Sequence, residues 1–476
     1  MTTTDALPRP FYEAPGGGGA VRRLLLLAYH FPPSQTAGAL RWQKLSHFAA
    51  ERGLALDVIT RDPEQLTAPD TSRLADLAPG TRVFAVPDDE HWILGPERAL
   101  RGWLRRIAGR KHGPPGAAPA PAPTNGGAPV AIRREALRWI PRSPRDVIRA
   151  YGSWLYHAAE SVWARRALAL GLQLSAAQRY DAVISCGPPH MPHEAARRIA
   201  RARGIPFVMD LRDPWSLLPD LNRHYASPLW FAIAERHERR AVREAALVVM
   251  NTEPARDAMR AAHPASGDRI IAILNGYDEE PVPPSRYGER FTIAYAGSLY
   301  MNRDPRLLFR AARRVIDELG LTPERFALGF IGNTETYGGT PIARLAEEEG
   351  IAAFVSTGPS RPRGAALEFL ADATMLVNLP QDAVLCVPSK VFEYMQFSAW
   401  VLALEPRGSA TELVLRDTRA DVVAPDDVDG IAGVLRRRYL EYAAGVRPTR
   451  IVTNGRFSRR HQAEMLLDAL EPCLPD

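Results

Sequence analysis

Thirteen short apolar runs, almost uninterrupted by polar residues, limit the folds open to this chain. The first series is RRLLLLAYH (22–30), LALDVIT (54–60), TRVFAVP (81–87), DAVISCG (181–187), IPFVMDL (205–211), ALVVMNT (246–252) and RIIAILNG (269–276). The second is FTIAYAG (291–297), FALGFIG (326–332), AAFVSTG (352–358), ATMLVNL (373–379), WVLALEP (400–406) and ADVVAPD (420–426). A strand with one wet face alternates polar and apolar residues. A run apolar throughout fits a strand covered on both faces, as in a parallel sheet. Helical patterns lie between the runs, among them AGALRWQKLSHFAAERG and RDPRLLFRAARRVIDELG. The second offers Asp304 as a cap, Pro305 in the first turn and Gly320 as a stop. This alternation predicts an α/β protein built on doubly wound sheets.

The two series part at NGYDEEPVPPSRYGER (275–290), rich in Pro and Gly. We expect an N-terminal domain over 1–280, a C-terminal domain over 288–455 and a final helix in 456–476 that could return to the N-terminal domain. A chain of 476 residues also exceeds what one core normally serves. The N-terminal domain is broken by an insertion at about 93–150. Within it, GPPGAAPAPAPTNGGAPV (113–130) has no composition for a packed element.

Charge is uneven. The chain carries +6, but residues 97–149 alone hold 12 Lys/Arg against 3 Asp/Glu, or +9, leaving −3 for the rest. That pattern argues against a nucleic-acid partner and for one local basic surface. In PERALRGWLRRIAGRK, Leu100, Trp103, Leu104 and Ile107 recur at helical spacing, with Arg98, Arg101, Arg105 and Arg106 at other positions. Such a helix suits an anionic membrane surface, and equally a helix packed on its own domain. No apolar run approaches the 18–20 residues of a membrane span, and the N-terminus does not read as a signal peptide. The three cysteines, Cys186, Cys386 and Cys473, are far apart and form no metal or disulfide pattern. The expected location is the cytoplasm, at most peripheral on the inner face of the plasma membrane.

Ligands of doubly wound sheets bind beyond the carboxyl ends of the strands, so residues there are the candidates. After the first run come His30 and, opening a helix, Gly38, which would let a ligand approach backbone N–H groups or simply make a tight turn. SCGPPHMPHEAARRIA places His190 and His193 at a helix start, for sugar or phosphate contacts or for packing. The pair does not form the HExxH zinc arrangement, and we expect no metal and no cofactor. MDLRDPWSLL brings Asp210, Arg212 and Asp213 to a strand end, where a buried Asp–Arg pair is the alternative. In the second series, Gly297 and Ser298 end a strand, with Arg303 before the next helix. VPSKVFEY places Ser389 as N-cap, Lys390 in the first turn and Glu393 one turn in. Only three of the 60 Lys+Arg are lysine, namely Lys44, Lys111 and Lys390. A compact ammonium at Lys390, with Arg303, could neutralise a diphosphate, while Glu393 accepts hydrogen bonds from ribose hydroxyls.

These stretches resemble, in order, the motifs of the family-four glycosyltransferases, most closely a bacterial polysaccharide and capsule branch. The matching runs are HFPPSQTAGALR, GPPHMPH, DLRDPW, NGYD, GSLYMNRDP and PSKVFEY. The resemblance implies the GT-B fold, with two Rossmann-like domains facing across a cleft. It implies transfer of a hexose or N-acetylhexosamine from a nucleoside-diphosphate sugar, UDP favoured, to a hydroxyl acceptor, with retention and without metal. Lys390, Arg303 and His193 take catalytic positions. Gly38, Gly297, Ser298, Ser389, Glu393 and the base-holding segment around Val355 fall to the donor. His30, His190, Asp210, Arg212 and Asp213 fall near acceptor or sugar. Two positions depart from the family pattern: Leu385 stands where its first paired acid is found, and Ser298 where an Arg is common. The acceptor could be a lipid-linked saccharide or a soluble small molecule. A catalytically degenerate sugar-nucleotide-binding module is the alternative from another class.

Overall fold

The computed structural model describes residues 8–16, 19, 22–88, 95, 144–217, 228–300, 303–380 and 384–475. The basic Trp-containing helix expected around Trp103 lies outside them. The chain divides into two compact units, one formed before Gly276 together with Arg459–Asp476, the other spanning Gly276–Ser458.

The first unit is built on an eight-stranded sheet. Its strands are β1 (Tyr12–Glu13), β2 (Arg22–Ala28), β3 (Leu54–Arg61), β4 (Arg82–Val86), β5 (Ala182–Gly187), β6 (Phe207–Leu211), β7 (Leu247–Met250) and β8 (Ile270–Ala272). They lie in the order β1-β4-β3-β2-β5-β6-β7-β8. Only β1 runs antiparallel, along the edge of β4. All seven predicted runs of this series form strands, six of them trimmed at their ends and β3 one residue longer. β1, two residues long, has no apolar run to betray it. Leu24, Leu25, Leu26 and Leu27 are fully buried because helices cover both faces of β2.

The helix Arg459–Leu470 belongs to this unit although it follows the second one in sequence. Its Ala463, Leu466, Leu467 and Leu470 join the core that holds Leu24, Leu26 and Leu45. Gln462 accepts the Leu274 backbone N–H at 2.8 Å, and Arg460 pairs with Glu51 of the helix Ala37–Glu51. Each buried leucine contributes about 1.5–3 kcal/mol, so apolar burial holds this helix more firmly than its exposed ion pairs do.

The second unit has a parallel six-stranded sheet and a small two-stranded one. The strands are β9 (Phe291–Ala296), β10 (Phe326–Ile331), β11 (Thr336–Tyr337), β12 (Thr340–Pro341), β13 (Val355–Gly358), β14 (Met375–Asn378), β15 (Trp400–Leu404) and β16 (Asp421–Val423). The main order is β13-β10-β9-β14-β15-β16, the doubly wound arrangement. β11 and β12 form a short hairpin that the apolar pattern does not announce. The helix Arg306–Leu319 ends as predicted at Gly320, whose φ of 57° suits a residue without Cβ. Its start is shifted by one residue. Pro305 occupies the N-cap position, while Asp304 Oδ1 accepts the Arg306 N–H at 3.0 Å.

Candidate functional site

In the second unit, three parallel strands end side by side around a cavity of about 410 Å³. β9 runs into Gly297 and Ser298, β10 into Gly332 and Asn333, and β13 into Pro359, Ser360 and Arg361. The backbones close up here. A Cβ on Gly332 would fall 2.2 Å from the Gly297 carbonyl oxygen, and both glycines have positive φ, 115° and 144°. Only residues without side chains allow this approach, which leaves backbone groups facing the cavity.

Lys390 stands behind that backbone. A Cβ on Gly297 would lie 2.6 Å from Nζ. The ammonium sits 3.9 Å from the Tyr295 ring centroid and has no hydrogen-bond partner. Part of the residue still meets solvent, but Nζ itself is enclosed. Burial, then repulsion from Arg303, pushes Lys390 down to about 7, with Glu393 opposing. Arg303 Nη1 donates to the Ser298 carbonyl at 3.1 Å, and its guanidinium lies 4.3 Å from the Tyr300 ring centroid. Glu393 is half-buried and bonded to Arg363 at 2.9 Å.

Two expectations for this unit are corrected. Pro388, not Ser389, occupies the N-cap of the helix Ser389–Tyr394; Ser389 is its exposed first residue. Val355 begins β13, opposite Leu328, and packs on the core at the far end of the strand from the cavity. Pro359, Ser360 and Arg361, beyond the carboxyl end of β13, line the cavity instead.

Sequence reasoning also missed Glu405, just past β15. It is 2% exposed and accepts from Asn378 Nδ2 at 2.7 Å. Burial pushes its carboxyl up to about 8, against the opposing influence of Ser409, Asn378 and Arg303. An acid ending an otherwise apolar run, in LALEP, was the available signal.

In the first unit, His193 is fully buried at the third position of the helix Met191–Arg203. Its Nδ1 lies 2.7 Å from Ser185 Oγ, and its Nε2 lies 3.5 Å from His190 Nδ1. The His190 ring stacks on Trp215 at 5.2 Å. Burial is the main cause that lowers His193 to about 3, His30 to about 3 and His190 well below its ordinary value. All three are therefore neutral and can share hydrogen bonds without carrying charge.

Asp210 is not available to a sugar. It is fully buried, bonded to Arg41 Nε at 2.9 Å, Arg41 Nη2 at 3.0 Å and Trp42 Nε1 at 2.7 Å. The buried Asp–Arg alternative therefore holds, with Arg41 rather than Arg212 as partner. Asp213 is half-buried just beyond β6. Gly38 belongs to this first unit. A Cβ there would fall 1.8 Å from Arg212 Nη1, so its missing side chain admits that guanidinium.

Residues 95–281 match the family model for Glycosyltransferase Family 4. That match spans less than half of the chain, and the architecture above is that of the GT-B fold, two Rossmann-like units. A comparison with curated protein sequences found no match. Among solved structures, HepE from Anabaena in complex with UDP-glucose is similar, with a TM-score of 0.55 at 11% identity, covering 94% of this chain and 99% of that one. A sucrose-phosphate synthase from Thermosynechococcus elongatus scores 0.54 at 12% identity over 95% and 98%. The apo lipopolysaccharide outer core galactosyltransferase WaaB scores 0.51 at 12% over 95% and 100%. At these identities the likeness concerns the fold.

In this chain, then, the second unit brings Lys390, Arg303, Gly297 and Ser298 to one strand-end region. The first unit gathers His30, His190, His193 and Arg212. Leu385, in place of the family's first acid, is half-buried in the segment leading to Lys390.

Proposed function

We propose that this chain transfers a hexose or N-acetylhexosamine from a nucleoside-diphosphate sugar, UDP favoured, to a hydroxyl acceptor. The observation that carries the reading is the enclosed, unpartnered Lys390 ammonium behind the Gly297 backbone. An enclosed cation without an anion is costly, and a diphosphate in the cavity would relieve it. The UDP-glucose in the similar HepE structure supports the choice of donor class.

In the proposed reaction, the bond from the anomeric carbon to the diphosphate breaks and that carbon bonds to the acceptor oxygen. The leaving diphosphate takes the acceptor proton on the same face, giving retention. Lys390 and Arg303 balance its growing charge, in place of a metal. Glu393 would exchange Arg363 for ribose hydroxyls. The base would lie against Pro359–Arg361. Thermal shift against UDP, ADP, GDP and TDP tests the donor, because a ligand of the native state at 100 times its Kd adds about 2.7 kcal/mol. UDP should give the largest rise; a flat panel would remove the reading.

We further propose that the enzyme works in the cytoplasm, peripherally at an anionic membrane surface, in polysaccharide or natural-product biosynthesis. The membrane reading is supported by the helix Pro144–Ala177. Val147, Tyr151 and Trp154, at i, i+4 and i+7, are 53%, 55% and 49% exposed. The Tyr151 and Trp154 rings stack at 6.2 Å. This apolar stripe borders the +9 stretch of sequence, a pairing that suits anionic lipid. Among the described residues no helix is long and apolar enough to cross a membrane.

A further inference from the structure

The carboxyl ends of β2, β3 and β6 gather more positive charge than nearby acids neutralise. Arg212 follows β6, its guanidinium set over Gly38. Its Nη2 donates to the Pro188 carbonyl, and its Nε is enclosed without a partner. Among the described residues no carboxylate pairs with it, since Asp210 is taken by Arg41. His30 follows β2, feels the charges of Arg212 and Arg61, and its Nδ1 is enclosed without a partner. Arg61 ends β3. Its Nη1 lies 3.3 Å from Tyr29 Oη and 3.7 Å from Asp88, and its Nε is also enclosed without a partner.

Three enclosed nitrogens with open hydrogen-bonding capacity thus lie at the strand ends where doubly wound sheets bind ligands, with His30 within electrostatic reach of both arginines. Enclosed polar groups of this kind destabilise a fold unless something completes them. The missing partner must offer oxygen acceptors and negative charge, because two of the three groups are guanidinium N–H donors. A guanidinium fork matches a carboxylate or phosphate with two parallel bonds. A neutral sugar hydroxyl could satisfy His30 but would leave the Arg212 charge unbalanced.

We propose that Arg212, Arg61 and His30 form an anion site in the first unit, which holds a phosphate or carboxylate group carried by the acceptor. The acceptor is then an acidic molecule rather than a neutral glycoside. Gly38 makes the site possible by leaving room for the Arg212 guanidinium. This inference rests on the sugar-transfer reading, which makes an acceptor necessary; the anion site itself can be read without turnover.

The test is calorimetric titration of the full chain with inorganic phosphate, and separately with acetate, with and without saturating UDP. Phosphate or acetate should bind with UDP present, and the stronger of the two tells which anion the site prefers. Arg212→Gln should weaken that binding roughly tenfold or more, while UDP affinity stays within twofold or so. Gly38→Ala should also weaken it, by displacing the guanidinium, and Arg212→Lys should recover part of it. If Arg212→Gln unfolds, the Gly38→Ala and Arg212→Lys variants carry the comparison. Binding of neither anion, or equal binding by wild type and the variants, overturns the proposal. Displacement of the Arg212-dependent anion by UDP overturns it too, since the site would then serve the donor. A chain that does not bind UDP but shows Arg212-dependent anion binding would sink the donor reading alone.

Discussion

Lys390 Nζ lies 3.9 Å from the centroid of the Tyr295 ring, with no hydrogen-bond acceptor around it. The ring face offers partial compensation for the charge. It cannot replace water, so an anion in the cavity beside Gly297 would relieve the enclosed ammonium. The relationship joins a strand residue to a helix residue 95 positions away in sequence. Burial, and then the charge of Arg303, are what lower this lysine to about 7.

That titration has a sign. The folded value of about 7 lies below the ordinary 10.5, so between these pH values the unfolded chain binds the extra proton. Lys390 therefore costs stability below about pH 7, and the cost is relieved as pH rises toward 10.5. UDP should reverse the shift by stabilising the ammonium. At pH 8, calorimetry in buffers of different ionisation enthalpy should find proton uptake on UDP binding, absent in Lys390→Met. Equal uptake in both proteins would assign the proton elsewhere, with Glu405 the obvious source.

Lys390 and Glu393 should fail differently. Lys390→Ala removes charge stabilisation that grows as the diphosphate leaves, and kcat should fall about 100-fold. Glu393→Ala removes ribose bonds made equally in ground and transition states, so KM should rise with kcat nearly unchanged. Arg363→Ala, which frees Glu393 from its ion pair, is the companion variant. A kcat loss in Glu393→Ala with KM unchanged would rule out the ribose role.

Asp210 should behave as a structural residue. Its removal strands the buried Arg41 guanidinium, at a cost of about 3–5 kcal/mol. Asp210→Ala should therefore lower Tm sharply or fail to fold. Native thermal stability together with lost transfer would return Asp210 to the substrate.

Membrane binding should depend on the exposed stripe and on charge together. Wild type should co-sediment with vesicles containing anionic lipid, at about 1 kcal/mol for each Arg near the surface. High salt should weaken it, through screening over about 8 Å at physiological ionic strength. Tyr151→Glu with Trp154→Glu should release the protein, as should Arg101, Arg105 and Arg106 changed to Glu. Wild type left in the supernatant at low salt would favour a soluble acceptor.

The sheets were legible because burial on both faces writes itself into the composition of a strand; LLLL in β2 could hardly be anything else. The strand-end regions followed from that topology. What stayed hidden depends on partners distant in sequence. Asp210 looked like a ligand-binding acid because its partner, Arg41, lies 169 residues away. Val355 lay in a segment with the right sequence, but only strand register tells which of its ends meets the cavity. Ser389 had the composition of a cap, yet the chain turns one residue earlier, at Pro388. Lysine rarity singled out Lys390; only packing against Tyr295 and Gly297 shows why a flexible stem fits there.

The measurement closest to the central claim is a calorimetric titration of UDP into the wild-type chain and into Lys390→Ala. The account predicts one UDP per chain, bound roughly tenfold or more weakly when the ammonium is gone. No binding of UDP to wild type, or equal binding by both proteins, would contradict it.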